Sequence, residues 1–106
     1  MTTSPTNNQI DQLLAEKAMG WYLSPNGVNW CYDGNPIRGR ERWSPTTNRD
    51  DLADVLRKLT PEQWDSVIDR LGYIHMAATG CEERFSLWLL TCDPAIIARA
   101  VAEVVR

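Results

Sequence analysis

The stretch LGYIHMAATGCEERFSLWLLT, residues 71–91, decides the fold, because its apolar residues fit two different periods. Read as strands, Tyr73–Thr79 and Arg84–Thr91 are two short runs joined by Gly80-Cys81-Glu82-Glu83, and Gly72 closes the helix before them. Phe85, Leu87 and Leu89 then share one face, with Trp88 and Leu90 on the other, so the second run is apolar on both sides. A strand of that kind belongs inside a sheet, covered above and below. This reading predicts a β-hairpin over residues 73–91.

Upstream, a first hairpin is predicted by Trp21–Leu23 and Val28–Tyr32, aromatic and β-branched runs around Ser24-Pro25-Asn26-Gly27. Asn-Gly tolerates the positive φ angles of a tight turn. Four helices surround the hairpins. The first starts at Gln9, carries Ile10, Leu13, Leu14 and Ala18 at helical spacing, and ends at Gly20. The second starts near Asn48–Asp51 and buries Leu52, Val55, Leu56 and Leu59. Thr60-Pro61 resets the chain for a third, with the stripe Trp64, Val67, Ile68 and Leu71. The last is capped by Asp93, has Pro94 in its first turn, and turns Ile97, Ala100, Val101 and Val104 inward. Residues 33–48, with Gly34, Pro36, Gly39 and Pro45, lack a period and read as a loop. The order α–β–β–α–α–β–β–α predicts an α+β fold: a four-stranded, mostly antiparallel sheet of two hairpins packed with helices. Residues 1–8 read as a disordered tail and 9–106 as one domain.

Bulk composition narrows the function classes. The chain has 106 residues, 43% hydrophobic and 24% charged, which suits one self-sufficient core. A net charge of -3 opposes general nucleic-acid binding, which depends on neutralising phosphates. Three cysteines without a CxxC pair, and a single histidine, match no common zinc framework; neither metal nor cofactor is expected. They read as free thiols in a reducing cytosol. The N-terminal residues lack a secretion signal's basic and apolar regions. No apolar run reaches the ~20 residues needed to span a bilayer, so a soluble intracellular protein is expected.

Three separated segments resemble one family. LLAEKAMGWYLS (13–24), WSPTTNRDDLADVLRKL (43–59) and LTCDPAIIARAVAEVV (90–105) look like the phage ABA-sandwich domain, a set of small proteins encoded by bacteriophages and prophages. The resemblance implies a phage accessory protein in the cytoplasm of a bacterial host, with no defined activity. Two departures stand out: Pro45-Thr46-Thr47-Asn48 replaces the family's usual helix-start motif, and Thr60–Gly72 forms a helix beyond its single middle one.

Two surfaces are candidates for binding. In the 33–49 segment, Arg38, Arg40, Arg42 and Arg49 outnumber Asp33 and Glu41. Guanidinium forks suit phosphate or carboxylate, and Trp43 could stack on a planar ligand. The plainer reading is a solvated loop in which Trp43 plugs the core. The second surface is acidic: Asp50, Asp51, Asp54, Glu62, Asp65 and Asp69. It could mimic nucleic-acid charge toward a basic protein; its plainer reading is helix-start acids on a wet face. His75 and Cys81 lie on different parts of the predicted hairpin, with no orienting acid, so no catalytic pair is read from them. The leading expectation is a non-enzymatic inhibitor of a host anti-phage defence system, such as an anti-CRISPR. It would act as a monomer or homodimer on a host protein, a nucleic-acid-binding defence complex, without touching nucleic acid or membrane. The alternatives are sequestration of a small anionic ligand, such as a signalling nucleotide, and a structural or oligomerising role.

Overall fold

Thr6 and Gln9 open the first element reciprocally. Gln9 N–H donates to Thr6 Oγ1 at 3.2 Å and Thr6 N–H to Gln9 Oε1 at 2.8 Å. This capping box starts α1 (Asn7–Lys17) two residues before the start at Gln9 that the apolar period indicates. In the computed structural model, which describes residues 5–79 and 84–106, five helices and a three-stranded antiparallel sheet form an α+β fold.

The hairpin about Ser24–Gly27 forms as its sequence indicates. β1 (Tyr22–Leu23) pairs with β2 (Asn29–Tyr32), and Gly27 takes φ +70° in the turn. The chain then makes a second hairpin that the loop reading of residues 33–48 overlooked. Asp33 and Gly34 both adopt left-handed backbone, at φ +53° and +80°, so a two-residue turn sends β3 (Asn35–Gly39) back along β2. Tyr22 Oη accepts from Gly34 N–H at 2.9 Å and braces the turn. Pro36 is tolerated because β3 is an edge strand and the register slips between Trp30 and Cys31. A 3-10 turn at Arg40–Arg42 follows.

Asn48 starts α2 (Arg49–Arg57), its Oδ1 accepting from Asp50 and Asp51 N–H at 2.9 and 3.1 Å. Thr60 and Gln63 close a second capping box at the head of α3.

Here the expected four-stranded sheet fails. α3 runs unbroken from Pro61 to Thr79, through Gly72, and Phe85–Thr91 is a helix, α4. Val67, Leu71 and His75 recur every four residues and are all buried, so the inward stripe continues past the glycine. Gly72 costs a helix only about 1 kcal/mol, and Met76, Ala77 and Ala78 favour helix over strand. Phe85, Trp88, Leu89 and Cys92 have helical i, i+3, i+4, i+7 spacing, which the strand reading of alternate residues concealed. Phe85 and Trp88 stack at 5.9 Å, and the His75 ring sits 5.4 and 5.0 Å from them, docking α4 on α3. The expected turn at Gly80–Glu83 lies outside the described residues.

α4 meets α5 (Pro94–Val105) at 102°. α5 is the central helix, packed against α1, α2 and α3, with Ile97, Ala98, Ala100, Val101 and Ala102 buried. Trp30 and Trp43 join the sheet and its following turn to this core. Among the described residues, no single helix is long and apolar enough to cross a membrane.

Candidate functional site

Arg38 leaves β3 toward α2 rather than toward solvent. Its Nη1 lies 2.5 Å from Asp51 Oδ1 and its Nη2 3.6 Å from Asp54 Oδ2. The guanidinium also stands 5.8 and 5.4 Å from the rings of Trp21 and Trp43, which meet edge-on at 4.7 Å. Asp51 Oδ2 accepts from Ser44 N–H at 2.9 Å, so one carboxylate ties β3 and the 43–48 segment to α2. Arg38 of one surface read in the sequence therefore meets Asp51 and Asp54 of the other, and these three groups are lost to both.

A second buried carboxylate sits beside the first. Asp11 of α1 accepts from Thr46 N–H at 3.0 Å, Thr46 Oγ1 at 3.1 Å and Ser44 Oγ at 3.4 Å. Trp43 Nε1–H donates to the Asp11 backbone carbonyl at 2.8 Å. Burial pushes the Asp11 carboxyl above its ordinary range and outweighs the hydrogen bonds that pull it down. Trp43 is thus the core plug of the plainer reading, with its indole N–H satisfied.

Arg49 donates to the Cys92 carbonyl and joins the start of α2 to the end of α4. The same burial that hides Cys92 raises its thiol above the ordinary value. Arg40 and Arg42 differ from the other two arginines. Both are exposed, and neither has an ion-pair or side-chain hydrogen-bond partner among the described residues, whereas Arg38 is ion-paired and Arg49 is bonded to the Cys92 carbonyl. They line a cleft of about 640 Å³ between α1 and the 3-10 turn, with Asn8 and Gln12 on its opposite side.

The acidic set divides in the same way. Asp51 is buried and Asp54 half-buried against Arg38, while Asp50, Glu62, Asp65 and Asp69 are exposed. The last three lie on α3. At 3.6 residues per turn, Glu62, Asp65, Asp69, Tyr73 and Met76 fall within an arc of roughly 80°, opposite the buried Val67 and Leu71. Tyr73 is 80% exposed and Met76 41%. Together with His75 and Phe85, Asp69, Tyr73 and Met76 also border a hollow of about 530 Å³ between α3 and α4. On α4, Leu87 and Leu90 are 55% and 73% exposed.

No family model, curated protein or solved structure matches the chain.

His75 is 3% exposed and packed between aromatic rings, a core position; Cys81 lies outside the described residues. Among the described residues no group of three His, Cys, Asp or Glu side chains could hold a metal ion. Tyr73 and Met76 were missed as surface residues because they were assigned to a strand. Continuing the Asp65–Asp69 spacing by four and then three residues would have reached them. Asn8 and Gln12, an i, i+4 pair on α1, carried the same kind of signal.

Proposed function

We propose that this protein is a non-enzymatic binding protein that docks on a basic host protein through the exposed face of α3. On the motif resemblance, we read it as a phage-encoded inhibitor of a host anti-phage defence system. One observation carries the reading: Glu62, Asp65 and Asp69 share a helix face with the exposed Tyr73 and Met76. Acids at the rim of an interface steer a basic partner and fix its register. Tyrosine is a preferred anchor, because it buries a large rigid surface at low entropy cost. A protein that grips nucleic-acid backbone presents the complementary surface, cationic groups around shape-matched hollows. The acids attract such a surface while the apolar end of the stripe seals against it. The mechanism is occlusion with a contribution from charge mimicry.

The test is competitive. The wild-type chain and the variant Asp65→Lys/Asp69→Lys/Tyr73→Ser are expressed in bacteria carrying individual defence systems, and phage plating is scored. The expected result is that wild type restores plating against one system and co-purifies with its nucleic-acid-binding complex, while the variant loses both by about tenfold or more. The variant should melt at the wild-type temperature, since all three positions are exposed. A variant as active as wild type, or no defence system blocked, defeats the reading.

A further inference from the structure

The cleft beside Arg40 and Arg42 is separate from the α3 face. We propose that it is a binding site for a small phosphate ester the size of a nucleoside monophosphate.

Arg38 is held by Asp51 and Asp54, and Arg49 by the Cys92 carbonyl. Arg40 and Arg42 line the cleft without an ion-pair partner among the described residues. Two guanidinium groups on one short turn offer more donors than one carboxylate can accept, whereas a terminal phosphate has three acceptor oxygens. The nearby negative charges do not fill that role. Asp11 lines the cleft, but its carboxylate oxygens accept from Thr46 and Ser44. Glu41 lies on the same turn and lines the cleft as well, which leaves one net positive charge among Arg40, Glu41 and Arg42.

The opposite wall selects the rest of the ligand. Gln12 donates its side-chain amide to Glu16 at 3.2 Å, which leaves its carbonyl oxygen as an acceptor. Asn8, one turn earlier, supplies an amide that can both donate and accept. A ligand spanning the cleft therefore carries an anion at one end and hydroxyl or amine donors at the other, as a nucleotide does. The volume of about 640 Å³ falls inside the range of small-molecule sites. Trp30 and Trp43 are nearly fully buried beneath it, so they form a rigid floor rather than a stacking clamp.

The experiment is isothermal titration of the purified chain with AMP, GMP, adenosine, inorganic phosphate, sulfate and a 5′-phosphorylated dinucleotide. The dinucleotide distinguishes a free nucleotide from the end of a nucleic acid. At least one nucleoside monophosphate should saturate with a Kd of about 1 mM or tighter. Adenosine and inorganic phosphate should each bind about tenfold more weakly or worse, because each holds only half of the recognition. Arg40→Ala/Arg42→Ala should weaken nucleotide binding by about tenfold or more, without moving the melting temperature of the ligand-free protein. Asn8→Trp should block the cleft from the other side. A dinucleotide that binds tighter than AMP or GMP assigns the phosphate ester to a nucleic-acid end and overturns the small-ligand form. The proposal also fails if no monophosphate saturates by about 10 mM, if the arginine variant keeps its affinity, or if sulfate and phosphate bind as tightly as the nucleotides.

Discussion

Around Arg38 the charged side chains turn inward and are partnered, whereas along α3 and α4 large apolar side chains stand in water. Asp51 is buried against a guanidinium that itself lies against two indoles. Tyr73, Leu87 and Leu90, by contrast, are each more than half exposed. The first region holds a sheet, a 3-10 turn and two helices in register through groups that would be costly to leave unpaired. The second holds only an inner face, built on His75, Phe85 and Trp88, and leaves its outer face uncovered. In this molecule buried, paired charge marks the joint, and the exposed apolar surface is what the proposed partner would bury.

The largest test breaks the joint. Asp51→Ala leaves the partly buried Arg38 guanidinium with only Asp54, at 3.6 Å, and leaves Ser44 N–H without its acceptor. Removing one member of a buried pair typically costs 3–5 kcal/mol; with Arg38 still partly open to water, about 3 kcal/mol is expected from urea denaturation. The double variant Arg38→Ala/Asp51→Ala should recover part of that loss, because it leaves no orphaned charge. A single variant within about 0.5 kcal/mol of wild type would show that the ion pair is ornamental.

A smaller effect is expected at the neighbouring carboxylate. Asp11→Ala leaves the buried Thr46 N–H unsatisfied, at a cost of about 2 kcal/mol. Asp11→Asn keeps an acceptor for that group and should cost much less. The pH dependence separates charge from shape. Burial raises the Asp11 carboxyl in the folded chain, so the folded state holds its proton at pH values where the unfolded state has released it. The stability contributed by this shift is present in full below the unfolded carboxyl's pKa and is lost as pH rises through the higher folded value. Titrating wild type against Asp11→Asn from about pH 4 to 7 should show wild type losing stability relative to the variant as pH rises. Parallel curves would mean that the group is not perturbed.

How far the sequence could be read follows the range of the interactions. Thr60 with Gln63, Asn48 with Asp50 and Asp51, and Asp93 before Pro94 are caps made within a few residues, and all were legible. So was the turn at Asn26-Gly27. Asp33-Gly34 carried the same chemistry, but the Pro36 that follows and the irregular spacing of β3 disguised it as loop. Arg38 was not legible as a structural residue, because its nearer partner lies 13 positions away on another element. Residues 73–91 were misread for a different reason. A run such as FSLWLL, apolar except for Ser86, satisfies both periods, and the choice is made by His75 docking on Phe85 and Trp88, a contact that no local pattern announces.

The uncovered outer face of α3 and α4 supports the smallest predicted effect. Tyr73→Ser and Leu90→Ser remove exposed side chains from helix surfaces, so each should change stability by no more than about 0.5 kcal/mol. If either position belonged to a hidden core, the cost would instead approach the 2–5 kcal/mol of a large buried truncation. Equilibrium denaturation therefore decides whether the outer faces of α3 and α4 are free surface. A second measurement, sedimentation of wild type and the double variant Tyr73→Ser/Leu90→Ser over a range of concentrations, asks what meets that surface. Self-association that disappears in the variant would place a second copy of the chain there, while a monomer in both leaves the face to a different protein. The acids Asp65 and Asp69 favour the second outcome, because two copies apposed through this face would bring like charges together, whereas a basic partner would neutralise them.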